Sequence, residues 1–240
     1  PGTAVYQNEA GTGALRGWLG ELLFQNVATL KASNVAGLLS GQTIRTRLEN
    51  FVYKVEPVVV TDPDLQMASG TGLAVVKMGG RNMARAYGMV GDGSSDDTAA
   101  FKKAVAAAGQ GGVVDIGDGF NYLLTEGIYA ECHVVGESNI TFNIPNNTTD
   151  CFVMRPAQNF PVRLDVGIID CQETGRDGVR FERGNPEGNF VVNNAYRDGL
   201  TFYCDGNRFD WIENVQFGKV RIGKAGRHGW HPTLRLDASE

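Results

Sequence analysis

An internal repeat restricts the architecture of this chain more than any other feature. Gly175-Arg176-Asp177-Gly178-Val179-Arg180-Phe181 aligns with Tyr196-Arg197-Asp198-Gly199-Leu200-Thr201-Phe202, 21 residues later. A third copy, Gly226-Arg227-His228-Gly229-Trp230, follows after 30 more, an interval that implies an inserted loop. Self-similarity at such a period marks a solenoid, in which each turn exposes an apolar strand face that only its neighbours can cover. Ile140-Thr141-Phe142, Val166-Gly167-Ile168-Ile169, Phe190-Val191-Val192 and Val215-Gln216-Phe217 supply further strands, and Asn193-Asn194 and Asn214 suit the corners. Coils of roughly 20–25 residues make about five or six turns of a mainly β, parallel β-helix. Cys132, Cys151 and Cys171 follow one another at intervals of 19 and 20 residues, close to one turn. They are expected to stack inside as small hydrophobes; a disulfide, with Cys204 available, is the alternative.

The stretch before the repeats sets their start. Gly91-Asp92-Gly93 reads as a tight turn, since two glycines bracket a residue that tolerates left-handed geometry. Ser94, Ser95, Asp96 and Asp97 then offer oxygens to the orphan N–H groups at a helix start. Ala99, Ala100, Phe101, Ala104, Val105 and Ala108 give that helix a small apolar face, and Gly109 and Gly111-Gly112 stop it. Strands follow at Val113 to Ile116 and at Phe120 to Thr125, around a turn at Gly117-Asp118-Gly119. Asp92, Asp96 and Asp97 also have the chemistry of metal ligands or catalysts, but their positions favour turn and cap.

That order of signals resembles the start of the pectate-lyase-like right-handed β-helix of bacteriophage tailspikes and related polysaccharide-acting proteins. The matching residues are Tyr87-Gly88, Gly91-Asp92-Gly93, Asp96-Asp97-Thr98, Ala100-Phe101, Gly111-Gly112-Val113 and Tyr122. The family's proline in the second element is replaced here by Gly117-Asp118-Gly119. The resemblance implies a helix that plugs the N-terminal end of the solenoid. It also implies a homotrimer attached to other virion tail proteins, acting at the bacterial cell surface on polysaccharide, and often depolymerase activity.

The N-terminal part has a different pattern. Residues 1–32 read as an extension leading into an amphipathic helix over 14–31, with Leu15, Trp18, Leu19, Leu22, Leu23, Val27 and Leu30 near helical spacing. That stripe fits either a three-fold axis or an ordinary domain helix. Residues 33–80 read as a small β-rich, virion-proximal domain, with strands at Thr43 to Thr46, Phe51 to Val55 and Val58 to Val60. Gly41-Gln42, Ile44-Arg45-Thr46 and Leu73-Ala74 are similar to a segment that often precedes the tailspike β-helix. Arg45, Arg47 and Lys54 form a basic group there, read as a solvated sheet face or a virion contact. Residues 81–240 hold the cap and the first coils. No element follows Leu234-Arg235-Leu236 to cover the last coil, so the chain is expected to continue in a longer protein.

Composition narrows the partners. A net charge of −5 argues against nucleic acid held by bulk electrostatics. No stretch approaches the roughly 20 apolar residues of a membrane-spanning helix, so no membrane insertion is expected. The four cysteines lack paired zinc-site spacing, His133 sits beside apolar Val134-Val135, and His228 and His231 lack a third ligand, so no metal and no cofactor are expected.

Chemistry on a glycan needs carboxylates or a base. Asp177 and Asp198 occupy one position in successive coils, about 4.8 Å apart at the backbone, and are the candidate catalytic pair. Asp170, Glu173, Glu182, Asp205, Asp210 and Glu213 lie near them in sequence. A repeated Arg-Asp-Gly is equally ordinary turn chemistry. A lyase needs a base and a cation, and Lys219, Arg221, Lys224, Arg227 and His228 form the dense basic run, which a solvated face also explains. Trp211, Trp230 and Arg227 are candidate glycan contacts, with Tyr203 a further aromatic. These features favour a tailspike or tail fibre. A secreted polysaccharide lyase or epimerase and a non-enzymatic tail adaptor are the alternatives, and fold alone does not choose among them.

Overall fold

A computed structural model describes residues 22–32, 41–56, 72–75, 81–156, 160–204, 212 and 214–234. The chain divides into two compact units between Met78 and Gly79.

In the first unit, β1 (Leu22–Phe24), β2 (Thr43–Thr46), β3 (Val52–Glu56) and β4 (Gly72–Val75) form one sheet in that order. β1 runs parallel to β2, and the other two pairs are antiparallel. Ile44, Tyr53 and Val55 are buried. The helix expected over 14–31 is corrected in its described part. Leu22–Phe24 is a strand, and the helix, α1, is only Val27–Ala32. The reason is local. Leu22, Leu23 and Phe24 pair with Ile44, Arg45 and Thr46, and Asn26 Oδ1 accepts the Thr29 N–H at 2.7 Å as an N-cap. Residues 14–21, with Leu15, Trp18 and Leu19, lie outside the described residues, as do 1–13 and the strand expected at Val58 to Val60.

The second unit opens with β5 (Arg81–Met83), a 3-10 turn over Ala84–Tyr87, β6 (Asp92–Asp96) and α2 (Thr98–Ala108). Gly91 and Gly93 both have positive φ, as the expected turn requires. A Cβ on Gly91 would lie 2.8 Å from the Tyr122 ring, so the loop also needs glycine for close approach. The acids divide the work differently from the expectation. Asp92 Oδ1 accepts the N–H groups of Ser94 and Ser95, and Asp96 accepts that of Thr98. Asp97, at the N-cap position, turns back to accept Val90 N–H at 2.6 Å and Gly91 N–H at 3.1 Å. Phe101, Ala104 and Ala108 are the buried face of α2, and the Phe101 ring meets Phe152 edge-on at 6.0 Å.

Five passes of strand follow among the described residues. The first is β7 (Val113–Asp115), β8 (Asn121–Leu124) and β9 (Ile128–Ala130). The second is β10 (His133–Val135), β11 (Asn139–Phe142) and β12 (Phe152–Met154). The third is β13 (Pro161–Asp170) and β14 (Asp177–Phe181), and the fourth β15 (Asn185–Asn193) and β16 (Asp198–Cys204). The fifth is β17 (Gln216–Ile222) and β18 (His228–Leu234). Each strand pairs in parallel with its counterpart one pass away. β13 pairs with β10 through its first half and with β11 through its second, so one long strand spans two faces, with a register shift against β15 between Asp165 and Ile168.

The unit is therefore mainly β, built of curled parallel sheets consistent with a β-helix. In-register stacking carries like residues over like. Tyr122, Ile140, Ile169 and Val192 are consecutive partners, as are Ile128, Phe152 and Val179, and all of these are buried. Cys132, Cys151 and Cys171 are free thiols inside the stack. Burial, and then a hydrogen bond with Cys171, push the Cys151 thiol well above its ordinary pKa. The side chain of Cys204 lies outside the description.

Candidate functional site

The repeated Arg-Asp dipeptides form the corners that lead into the third face, β9-β12-β14-β16-β18. Consecutive corners hydrogen-bond directly. Arg176 N–H donates to Thr149 O at 2.8 Å, Arg197 N–H to Arg176 O at 2.7 Å, and Arg227 N–H to Arg197 O at 2.7 Å. Each arginine reaches back one pass to the aspartate below. Arg176 Nε and Nη2 donate to the two oxygens of Asp150, both at 2.7 Å. Arg197 holds Asp177 through Nε at 2.7 Å and through Nη2, and Arg227 holds Asp198 through Nε at 3.1 Å and through Nη2. These are side-on, bidentate pairs, the strongest geometry a guanidinium offers a carboxylate.

The ladder is offset by one. Its first corner, Thr149-Asp150, has no arginine, and its last, Arg227-His228, has no aspartate, so each of the three carboxylates takes one side-on guanidinium from the next pass. Secondary contacts tie neighbours together. Arg180 Nη1 also reaches Asp150 at 3.1 Å, Thr201 Oγ1 donates to Asp177 at 3.2 Å, and Arg197 Nε lies 3.3 Å from Asp198. His228 Nδ1 is 3.1 Å from Asp198.

The structure thus brings Asp177 and Asp198 into register, as expected, but as members of this ladder. Both are fully buried, and both oxygens of each are engaged by arginine. Burial works against the charge of Asp198 most strongly. The hydrogen bonds from Arg227 and His228 and the charges of Arg227 and Arg197 outweigh it, and the carboxyl sits below its ordinary pKa. The hydrogen bond to Asp150, ahead of the opposing burial, raises Arg176.

Beside the ladder, Glu182 lies between Arg180 Nη2 at 2.8 Å and Arg155 Nη1 at 3.3 Å, and the Arg180 guanidinium sits 4.1 Å over the Tyr203 ring. Asp170 accepts from Gln172 and Asn194, and Glu173 pairs with Lys224. Asp205, Asp210, Glu213 and Trp211 lie outside the described residues, as do the side chains of Trp230 and His231. Among the described residues no cluster of His, Cys, Asp and Glu has metal-site geometry, Asp92, Asp96 and Asp97 included. An apolar cavity of about 240 Å³ lies against Leu200, Phe202, Val215, Phe217, Val220 and Ile222. Its described lining is apolar and offers no convergent polar groups.

Sequence reasoning singled out the aspartates of the repeat and missed their partners. Asp150 escaped because its corner lacks the arginine. Arg176 and Arg197 escaped because each acts on the preceding pass. The signal was the arginine that recurs at one corner position, Arg176, Arg197 and Arg227, which the sequence reading treated as turn chemistry.

A family model described as rhamnogalacturonase A/epimerase, pectate lyase-like, matches residues 80–160. Those residues are pectate-lyase-like. The segment holds α2, the first two passes and Asp150, and the rest of the ladder follows it. Among solved structures, Geobacillus virus E2 ORF18 aligns with a TM-score of 0.44 and 21% identity over 75% of this chain. The alignment spans 40% of that protein's length. No curated protein matches the chain.

Proposed function

We propose that this chain is part of a phage tailspike or tail fibre whose right-handed parallel β-helix, closed at its first coil by α2, binds bacterial surface polysaccharide. The observation that carries this reading is the run of five in-register parallel passes that starts within the pectate-lyase-like segment. The likeness of Tyr87–Phe101 to the tailspike cap motif supports the phage assignment, and the Phe101–Phe152 contact supports α2 as a plug. On this reading residues 1–32 and 33–80 face the virion, residues 81–240 begin the adhesive shaft, and the protein is a homotrimer acting at the cell surface. The engagement of Asp150, Asp177 and Asp198 by arginine favours binding over cleavage at this face.

Adsorption of the labelled protein to a panel of capsulated and O-antigen-bearing bacteria tests it. Binding should be saturable, confined to certain surface types and abolished when periodate destroys the glycans. Periodate-resistant binding, or none across the panel, refutes the reading.

A further inference from the structure

The ladder buries its negative charges and shows its positive ones. Asp150, Asp177 and Asp198 are 3%, 0% and 0% exposed, whereas Arg176, Arg197 and Arg227 are 31%, 33% and 47% exposed. A guanidinium carries five N–H donors, and a side-on carboxylate takes one from Nε and one from Nη2. Among the described residues no acceptor meets Nη1 of Arg176, Arg197 or Arg227. The end-on edge of each cation therefore faces outward, one per pass, with passes about 4.8 Å apart. The buried aspartates fix these edges in place, so little side-chain freedom is lost when a ligand meets them.

An aromatic lies on the same corner. Tyr196, immediately before Arg197, is 51% exposed. Its backbone N–H donates to Gly175 O at 3.0 Å, and Gly226, at the corresponding place one pass on, donates to Ala195 O at 3.0 Å. Glycine on both sides leaves no side chain at that position to flank the ring.

We infer that the corners at Arg176, Arg197 and Arg227 form a binding row for a carboxylate-bearing glycan lying along the stack, with Tyr196 offering a flat apolar face to a sugar ring. This rests on the polysaccharide-binding reading and specifies the ligand as acidic. A repeating row of fixed guanidinium edges fits a polymer that repeats its carboxylates.

Titration with alginate, and with the same alginate after its carboxyl groups have been reduced to alcohols, tests the row. The proteins are the wild type, Arg176→Gln, Arg227→Gln and, as a charge control on α2, Lys102→Gln. Asp150 keeps Arg180 in the first variant, and Asp198 keeps Arg197 and His228 in the second, so both fold, which circular dichroism checks. Alginate binding should weaken with added salt, disappear on carboxyl reduction, and fall up to about fivefold in each ladder variant, the upper limit one exposed ion pair supplies. Lys102→Gln should bind like the wild type. No alginate binding, equal binding of the reduced polymer, or unchanged binding by both ladder variants overturns the inference. Tighter binding of a single-stranded DNA oligonucleotide overturns it in favour of a nucleic-acid surface. In all these cases periodate-sensitive adsorption to cells would leave the broader proposal standing, so the two failures are distinguishable.

Discussion

Replacing Arg197 with Met should be among the most costly changes on this face, and the structure indicates by how much. Asp177 is fully buried and takes two charge-assisted hydrogen bonds from Arg197, with Thr201 Oγ1 the remaining side-chain donor at 3.2 Å. Removing one partner of a buried ion pair costs about 3–5 kcal/mol, because the charge left behind has no compensation. Arg197 is itself a third exposed, so its loss lets water reach the carboxylate, and the lower end, about 3 kcal/mol, applies. Arg227→Met is the internal control. It leaves Asp198 with Arg197 Nε at 3.3 Å and His228 at 3.1 Å, and the lost guanidinium was nearly half exposed, so about 1 kcal/mol or less is expected. For a domain of this size the gap corresponds to roughly 4–8 °C in thermal midpoint. Thermal and urea melts, with hydrogen exchange of the β14 and β16 amides, measure it. The double variant Asp177→Asn/Arg197→Met should recover most of the loss, since the buried charge is gone. Equal losses in Arg197→Met and Arg227→Met, or no recovery with Asp177→Asn, would refute the account of Asp177 as a charge held by one arginine.

Three further outcomes are expected. His133 Nδ1 accepts the Arg163 N–H at 3.0 Å, and burial, followed by the opposing charge of Glu187 and the Arg163 charge, leaves its pKa below the ordinary value. The folded state therefore binds the proton less readily than the unfolded chain, and stability should fall as pH drops below about 6.5; His133→Gln should flatten that slope in urea melts. A Cβ on Gly175 would lie 2.0 Å from Cys151 Sγ, so Gly175→Ala should cost about 1–3 kcal/mol by overpacking, and adding Cys151→Ala should return part of it. Asp97→Ala leaves the Val90 and Gly91 N–H groups without their acceptor and should cost about 2–3 kcal/mol, with faster exchange at those two amides as the local readout.

Much of the coiled unit was legible because its information is periodic. Strands at Ile140–Phe142 and Phe190–Val192, the α2 helix and the stacked interior cysteines follow from apolar runs, turn glycines and a repeat near 21 residues. The N-terminal unit was less legible because local pattern and tertiary pairing disagree there. Leucines near helical spacing suggested one helix, but Leu22–Phe24 finds a partner strand in Thr43–Thr46, and pairing overrides propensity. Asn26 was the available sign that a helix starts only after it. The separate roles of Asp96 and Asp97 were hidden for a similar reason. Both can cap a helix, and only the fold of the Val90-Gly91 turn shows that Asp97 serves the turn.

The site was half legible, and electrostatics explains how the other half follows from the same residues. Two carboxylates stacked about 4.8 Å apart repel by about 3–4 kcal/mol at an effective dielectric constant near 20. A parallel stack that repeats an aspartate in register must therefore leave it protonated, hydrate it, or place a cation between successive copies. Hydration is excluded where Asp177 and Asp198 are fully buried, and Asp198 is held charged, below its ordinary pKa. A cation remains. It must come from a side chain long enough to cross one pass, which is the arginine at the corresponding corner of the next pass. The charge pattern of such a ladder is necessarily asymmetric. The carboxylate, short and fixed near the backbone, is covered, and the guanidinium, reaching over it from the next pass, is the part that faces solvent. A repeated Arg-Asp corner in a parallel stack is thus both a clasp between passes and a row of outward hydrogen-bond donors, and the second property follows from the first.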